Sequence, residues 1–170
     1  MTLDVLPWLE YRWSFDAPIG MFRAVCERLR GTPARLEETL RGVTVAEATA
    51  LRGDGWSVQQ HAGHLFVVEP LWQTRLRELL RGEKRLTAAD MSNSATESAR
   101  LDEEPAEKLL EAFRSARQVT LQMLDPLTLE DAARSAHHPR LDKDLRVLDL
   151  CFFAAEHDDH HLAMIRALRR

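Results

Sequence analysis

Val147, Leu150, Ala154, His157, His161, Met164 and Leu168 succeed one another at intervals of 3, 4, 3, 4, 3 and 4 residues. This is the spacing of a helix that turns one stripe toward a core. The same three-and-four spacing recurs along most of the chain, and alternating runs of the strand type are nearly absent. The chain therefore reads as all-α. Its 170 residues, 45% of them hydrophobic and 29% charged, suit a single domain over 1–170 with a packed core.

The start and stop signals divide this pattern. Asp16 reads as an N-cap with Pro18 just inside the helix, followed by Ile19, Phe22, Cys26 and Leu29. The phase continues through Pro33, Leu36 and Leu40. Either Gly31-Thr32-Pro33 kinks one long helix, or Thr32 caps a second one, and Gly42 ends the element. Thr44 and Glu47 form a T-x-x-E capping box for a short helix closed by the Gly53-Asp54-Gly55 turn. Ser57 and Gln60 form an S-x-x-Q box that opens a helix to about Gly82, with Trp56 as its hydrophobic staple and a bend expected at Pro70. Residues 83–104 are polar and weakly periodic, a long connection. Pro105 marks the N1 position of a helix with a stripe of Leu109, Ala112, Ala116, Val119 and Met123. A short helix near Thr128–Ser135, a loop through His137-His138-Pro139-Arg140 and a last helix from about Leu145 complete the reading. Four long helices with one or two crossover connections make a four-helix bundle with short extra helices.

Composition narrows the function classes. With 23 Lys and Arg against 27 Asp and Glu, the net charge is −4, and Arg is interleaved with Glu, so nucleic acid is not an expected partner. No apolar run is long enough to span a bilayer and the start lacks the basic-then-apolar order of a secretory signal, which predicts a cytoplasmic protein without a membrane partner. Cys26 and Cys151 lie in separate apolar stretches and read as buried hydrophobes. No G-x-S-x-G, P-loop or Rossmann glycine pattern occurs.

The histidines carry the chemistry. His157 and His161 occupy consecutive positions of the last helix's core stripe, about 40° apart and one turn displaced, so both can face one point inside the bundle. Burying two imidazoles costs free energy unless they find partners, and a metal ion is such a partner. The Ser57 helix offers a third ligand, since His64 shares a face with Val68 and Leu71. The preferred set is His64, His157 and His161; His61 could replace His64, and His160, displaced from the stripe toward Phe153, could replace either partner on the last helix. Three neutral imidazoles leave a divalent ion with net positive charge and an open position, the pattern of a catalytic site. A fourth protein ligand such as His61, His160 or Glu69 would indicate a structural ion instead. Glu156, Asp158 and Asp159 read either as solvated helix charges or as groups that orient imidazole N–H. Adjacent His137 and His138 read as surface residues, Glu69 and Arg75 as bundle ion pairs that could reach a substrate, and Trp56 and Trp72 as packing that could wall a pocket. Imidazole ligands suit zinc, nickel, iron and copper alike.

The string Trp56-Ser57-Val58-Gln59-Gln60-His61-Ala62-Gly63-His64-Leu65, followed far downstream by Glu156-His157-Asp158-Asp159-His160-His161, resembles the DinB-like superfamily, which includes the YfiT-type metal-dependent hydrolases. Phe15-Asp16 and the stretch Arg30 to Leu36 look like the same family, so the likeness covers nearly the whole chain. Its three-histidine signature is matched at His64, His157 and His161. The resemblance implies a bundle of up-down-down-up connectivity, a divalent metal, often zinc or nickel, at one end, and a homodimer. It also implies a thiol S-transferase or a hydrolase acting on a small electrophile. The transferase would take an external low-molecular-weight thiol such as bacillithiol, mycothiol or glutathione as cosubstrate. A non-catalytic stress-response protein that binds metal or a small ligand is the alternative.

Overall fold

The computed structural model describes residues 5–51 and 55–169. Among the described residues, four long helices form the bundle: α1 (Phe22–Leu40), α3 (Val58–Arg81), α5 (Ala106–Leu124) and α7 (Val147–Leu168). Three short helices sit in the connections, α2 (Val45–Thr49), α4 (Ser94–Ser98) and α6 (Leu129–Ala133), together with a hairpin of β1 (Ser135–His138) and β2 (Lys143–Arg146). Both capping boxes form. Ser57 accepts from the Gln60 amide at the start of α3, and Thr44 accepts from Glu47 at the start of α2. Gly82 ends α3 in the left-handed region at φ +75°, which a Cβ would strain.

Cross-helix contacts fix the directions. Thr39 meets Arg166 while Arg28 meets Glu156, so α1 and α7 run parallel. Gln59 bonds the Leu101 and Glu104 carbonyls and Gln73 bonds the Ala116 carbonyl, so α3 and α5 also run parallel. Arg23 at the start of α1 reaches the Asp125 carbonyl at the end of α5, and His61 meets His161, which sets those pairs antiparallel. The order is up-down-down-up. Two parallel neighbours in sequence require a crossover, and the polar connection at 83–104 supplies it.

Several elements depart from the sequence reading. Asp16 caps nothing: a 3-10 turn at Ile19–Met21 follows Pro18, and α1 starts at Phe22. The helix is continuous through Pro33. Pro105 is the N-cap residue of α5, one position outside the expected N1. The buried stripe of α5 is Leu109, Phe113, Arg117, Thr120, Leu121 and Leu124, and Val119 is exposed. The expected stripe was rotated because Arg117, a charged residue, is fully buried. The expected loop at His137–Arg140 is instead the strand β1 and its turn, joined by the start of the long connection, where the Leu86 amide donates to the His137 carbonyl at 2.9 Å. With Ala136 and Leu145 buried, this hairpin closes one end of the core, and α7 begins after it at Val147. Gly53 and Asp54 of the expected turn lie outside the described residues.

Candidate metal centre

His64 on α3 and His157 and His161 on α7 are brought together with their Nε2 atoms inward. His157 Nε2 lies 3.3 Å from His64 Nε2 and 3.2 Å from His161 Nε2. An ion bound tetrahedrally at the usual imidazole distance of about 2.0–2.1 Å sets its ligand nitrogens about 3.4 Å apart, so these separations fit one. All three rings are buried. His61, on the same α3 turn, is not part of this triangle, and neither is His160.

The outward nitrogens explain the orientation. His64 Nδ1 meets Thr96 Oγ1 at 2.7 Å and His161 Nδ1 meets His61 Nδ1 at 2.9 Å. In the tautomer that carries its proton on Nδ1, which the Thr96 hydroxyl can accept, Nε2 turns a lone pair to the centre, and lone pairs converging there repel unless a cation lies between them. Burial holds the His64 imidazole down to about 4, and it holds His157 and His161 well below the ordinary histidine range. All three are neutral at physiological pH, the state that binds metal. The buried Nδ1 of His157 has no hydrogen-bond partner.

The imidazoles line a cavity of about 880 Å³, within the size range of small-molecule sites. Trp56 and Trp72 do wall it, with Trp56 5.0 Å from the His64 ring and Trp72 5.6 Å from the His157 ring between centroids. A third wall was not anticipated. Trp8, in a 3-10 turn near the amino end, stands edge-on to His157 at 5.1 Å. Its signal, a Trp-Leu-Glu-Tyr-Arg-Trp run ahead of the first helix, was visible but carried no periodicity. Thr96 was also missed, since a threonine in a polar connection has no pattern that links it to a distant histidine.

Other candidates sit elsewhere. His160 is buried beneath Trp8 and Tyr11, beside His161. Asp158 turns away from the imidazoles to a buried ion pair with Arg117, which also holds Glu69, while Glu156 and Asp159 bind Arg28. Glu156 and Asp159 are partly exposed ion-pair charges, Asp158 is fully buried, none of the three bonds an imidazole, and Glu69 is no fourth ligand. His138 is buried on β1, so of the two adjacent histidines only His137 is half-exposed. Cys26 and Cys151 are both buried free thiols and meet across α1 and α7. Their mutual hydrogen bond pulls the Cys26 thiol down and pushes Cys151 up. Neither lines the cavity.

A buried three-histidine centre between α3 and α7 of an up-down-down-up bundle defines a class of helical protein with a candidate metal site. Residues 28–165 match the DinB superfamily, and the chain belongs to it. Its structure is similar to that of YfiT from Bacillus subtilis, described as a probable metal-dependent hydrolase with an unusual four-helix bundle topology. The TM-score is 0.79 at 20% sequence identity, over 95% of this chain and 93% of that one. No protein of curated function matches. No helix among the described residues is long and apolar enough to cross a membrane.

Proposed function

We propose that the chain is a metal-dependent enzyme in which His64, His157 and His161 hold a divalent ion, zinc or nickel, and that it acts on a small electrophile as a thiol S-transferase or a hydrolase. The observation that carries this reading is the convergence of three buried, neutral imidazoles on one point at the wall of a cavity large enough for a substrate. When bound, the ion lowers the pKa of a thiol or water and so supplies a nucleophile at neutral pH. The protein's own groups do the rest. Thr96 and His61 fix two of the rings, while Trp8, Trp56 and Trp72 supply apolar walls for the substrate. Because Cys26 and Cys151 lie away from the cavity, a transferase would draw its thiol from outside. The description of the Bacillus subtilis structure supports the hydrolytic branch.

The test is the metal content per chain, by elemental analysis of protein purified without a histidine tag, for wild type and for His64→Ala, His157→Ala and His161→Ala. Near-stoichiometric metal in the wild type and its loss in all three variants is the expected result. The bundle has its own apolar cores, so the variants stay folded and helical. A wild type that stays empty after incubation with zinc and with nickel overturns the reading. If the loaded protein turned over neither thiol–electrophile pairs nor esters and amides, the ligand-binding alternative would replace the enzyme.

A further inference from the structure

About three helical turns along α3 from His64, the same cavity is lined by Arg75, with His138 and Arg140 from the hairpin. Arg75 is 1% exposed. Its Nε donates to the Thr87 carbonyl at 2.9 Å, its Cζ lies 5.5 Å from the Trp72 ring centroid, and its buried Nη2 has no hydrogen-bond partner. Glu78, the carboxylate that acts on Arg75 through space, bonds the Thr87 amide and hydroxyl. Asp90 also lines the cavity, but Ser92 and Ser94 occupy its carboxylate.

The other two groups complete the pattern. Arg140 Cζ sits 5.6 Å from the Phe153 centroid and the His138 ring 5.5 Å from it, while Phe153 and Trp72 are 6.0 Å apart, so all three groups share one aromatic wall. His138 Nδ1 accepts from the Leu141 amide at 3.3 Å. That bond puts the proton of the neutral imidazole on Nε2, which is buried and lacks an acceptor. Burial holds His138 down to about 4 and brings Arg75 down to about 10, so at neutral pH Arg75 remains cationic and His138 an uncharged donor. A buried guanidinium with no carboxylate in hydrogen-bond contact is costly, and buried donors left unused at the wall of a cavity indicate what the cavity takes.

We propose that Arg75, Arg140 and His138 form an oxyanion subsite, and that the ligand of this cavity carries a carboxylate or phosphate at one end. Trp72 separates the subsite from the imidazole centre, its ring 5.6 Å from that of His157. The ligand is therefore elongated, reaching past Trp72 from its anion toward the imidazole centre. That the other end is the reacting one rests on the function proposed above; the subsite itself requires no metal.

The test uses metal-free protein and follows tryptophan fluorescence while hexanoate, hexyl phosphate and 1-hexanol are titrated into wild type, Arg75→Met, Arg140→Gln and His157→Ala. At least one anion is expected to bind about tenfold more tightly than the alcohol in the wild type. That preference should collapse in Arg75→Met and in Arg140→Gln and persist in His157→Ala. The ranking of hexanoate and hexyl phosphate identifies the oxyanion. Equal binding of alcohol and anions by the wild type overturns the proposal, and so does a preference that survives in the arginine variants. Should Arg75→Met lose its helical circular dichroism, the partly exposed Arg140→Gln decides alone. Absence of metal from the wild type would defeat the enzyme reading and leave this outcome unchanged.

Discussion

Arg117 donates through Nη1 to the Leu29 carbonyl at 2.9 Å, the carbonyl that Pro33, having no N–H, leaves without its helical partner. The same guanidinium binds Asp158 at 2.7 Å and 3.1 Å and, through Nε, Glu69 at 2.8 Å. One buried side chain of α5 therefore mends a defect in α1 and ties α3 to α7 immediately behind His157. Thr32 and Thr120 donate to the two carboxylates and complete the network.

Removal of Arg117 leaves two buried carboxylates without their counter-charge and a carbonyl unsatisfied. Arg117→Met should cost about 3–5 kcal/mol in urea denaturation. Glu69→Gln should cost less, because burial already pushes the Glu69 carboxyl up and its neutral form is correspondingly cheaper to accommodate. A larger loss for Glu69→Gln than for Arg117→Met would contradict this ordering.

His61 and Thr96 hold His161 and His64 from behind. His61→Ala and Thr96→Val should each weaken zinc binding by about 10–100-fold while leaving the stoichiometry intact at saturating metal. Chelator competition measures this. Complete loss of binding in His61→Ala would make His61 a ligand itself.

Acid should destabilise the metal-free protein. In the folded state His64 remains unprotonated down to about pH 4, whereas in the unfolded chain it takes up a proton near 6.5. Between those values the unfolded state binds more protons, so stability is full above about 6.5 and declines as pH falls toward 4. His157 and His161 act in the same direction, and each unit of displacement corresponds to about 1.4 kcal/mol. The urea midpoint of metal-free protein should therefore be lower at pH 5 than at pH 7.5, more so in wild type than in a His157→Phe variant.

Gly63 lies between His61 and His64, and a Cβ there would come within 2.7 Å and 2.9 Å of the two Leu101 methyl carbons. Gly63→Ala should cost about 1–3 kcal/mol through overpacking of the crossover segment against α3. Thermal denaturation of the double variant with Leu101→Ala should recover part of that loss. If it recovered none, the cost would lie in α3 itself.

The sequence by itself determined what depends on neighbours along the chain. The two capping boxes, the Gly82 stop and the core stripe of the last helix are local devices, and they place His157 and His161 on one face as helical pitch demands. His64 could be joined to them because a polar ring on an apolar stripe must meet something inside. The tertiary structure alone decided what depends on distant partners. Arg117 carries no signal along the chain and Asp158 reads as a solvated charge or an imidazole partner, because their burial is stabilised by each other and by Glu69, across helices far apart in sequence. His138 reads as a surface residue and Arg75 as a bundle ion pair that could reach a substrate until the hairpin and α3 close around one cavity. Cys26 and Cys151 came together for the same reason. Periodicity records which side of a helix faces inward, but it carries no record of which charge waits on the other side.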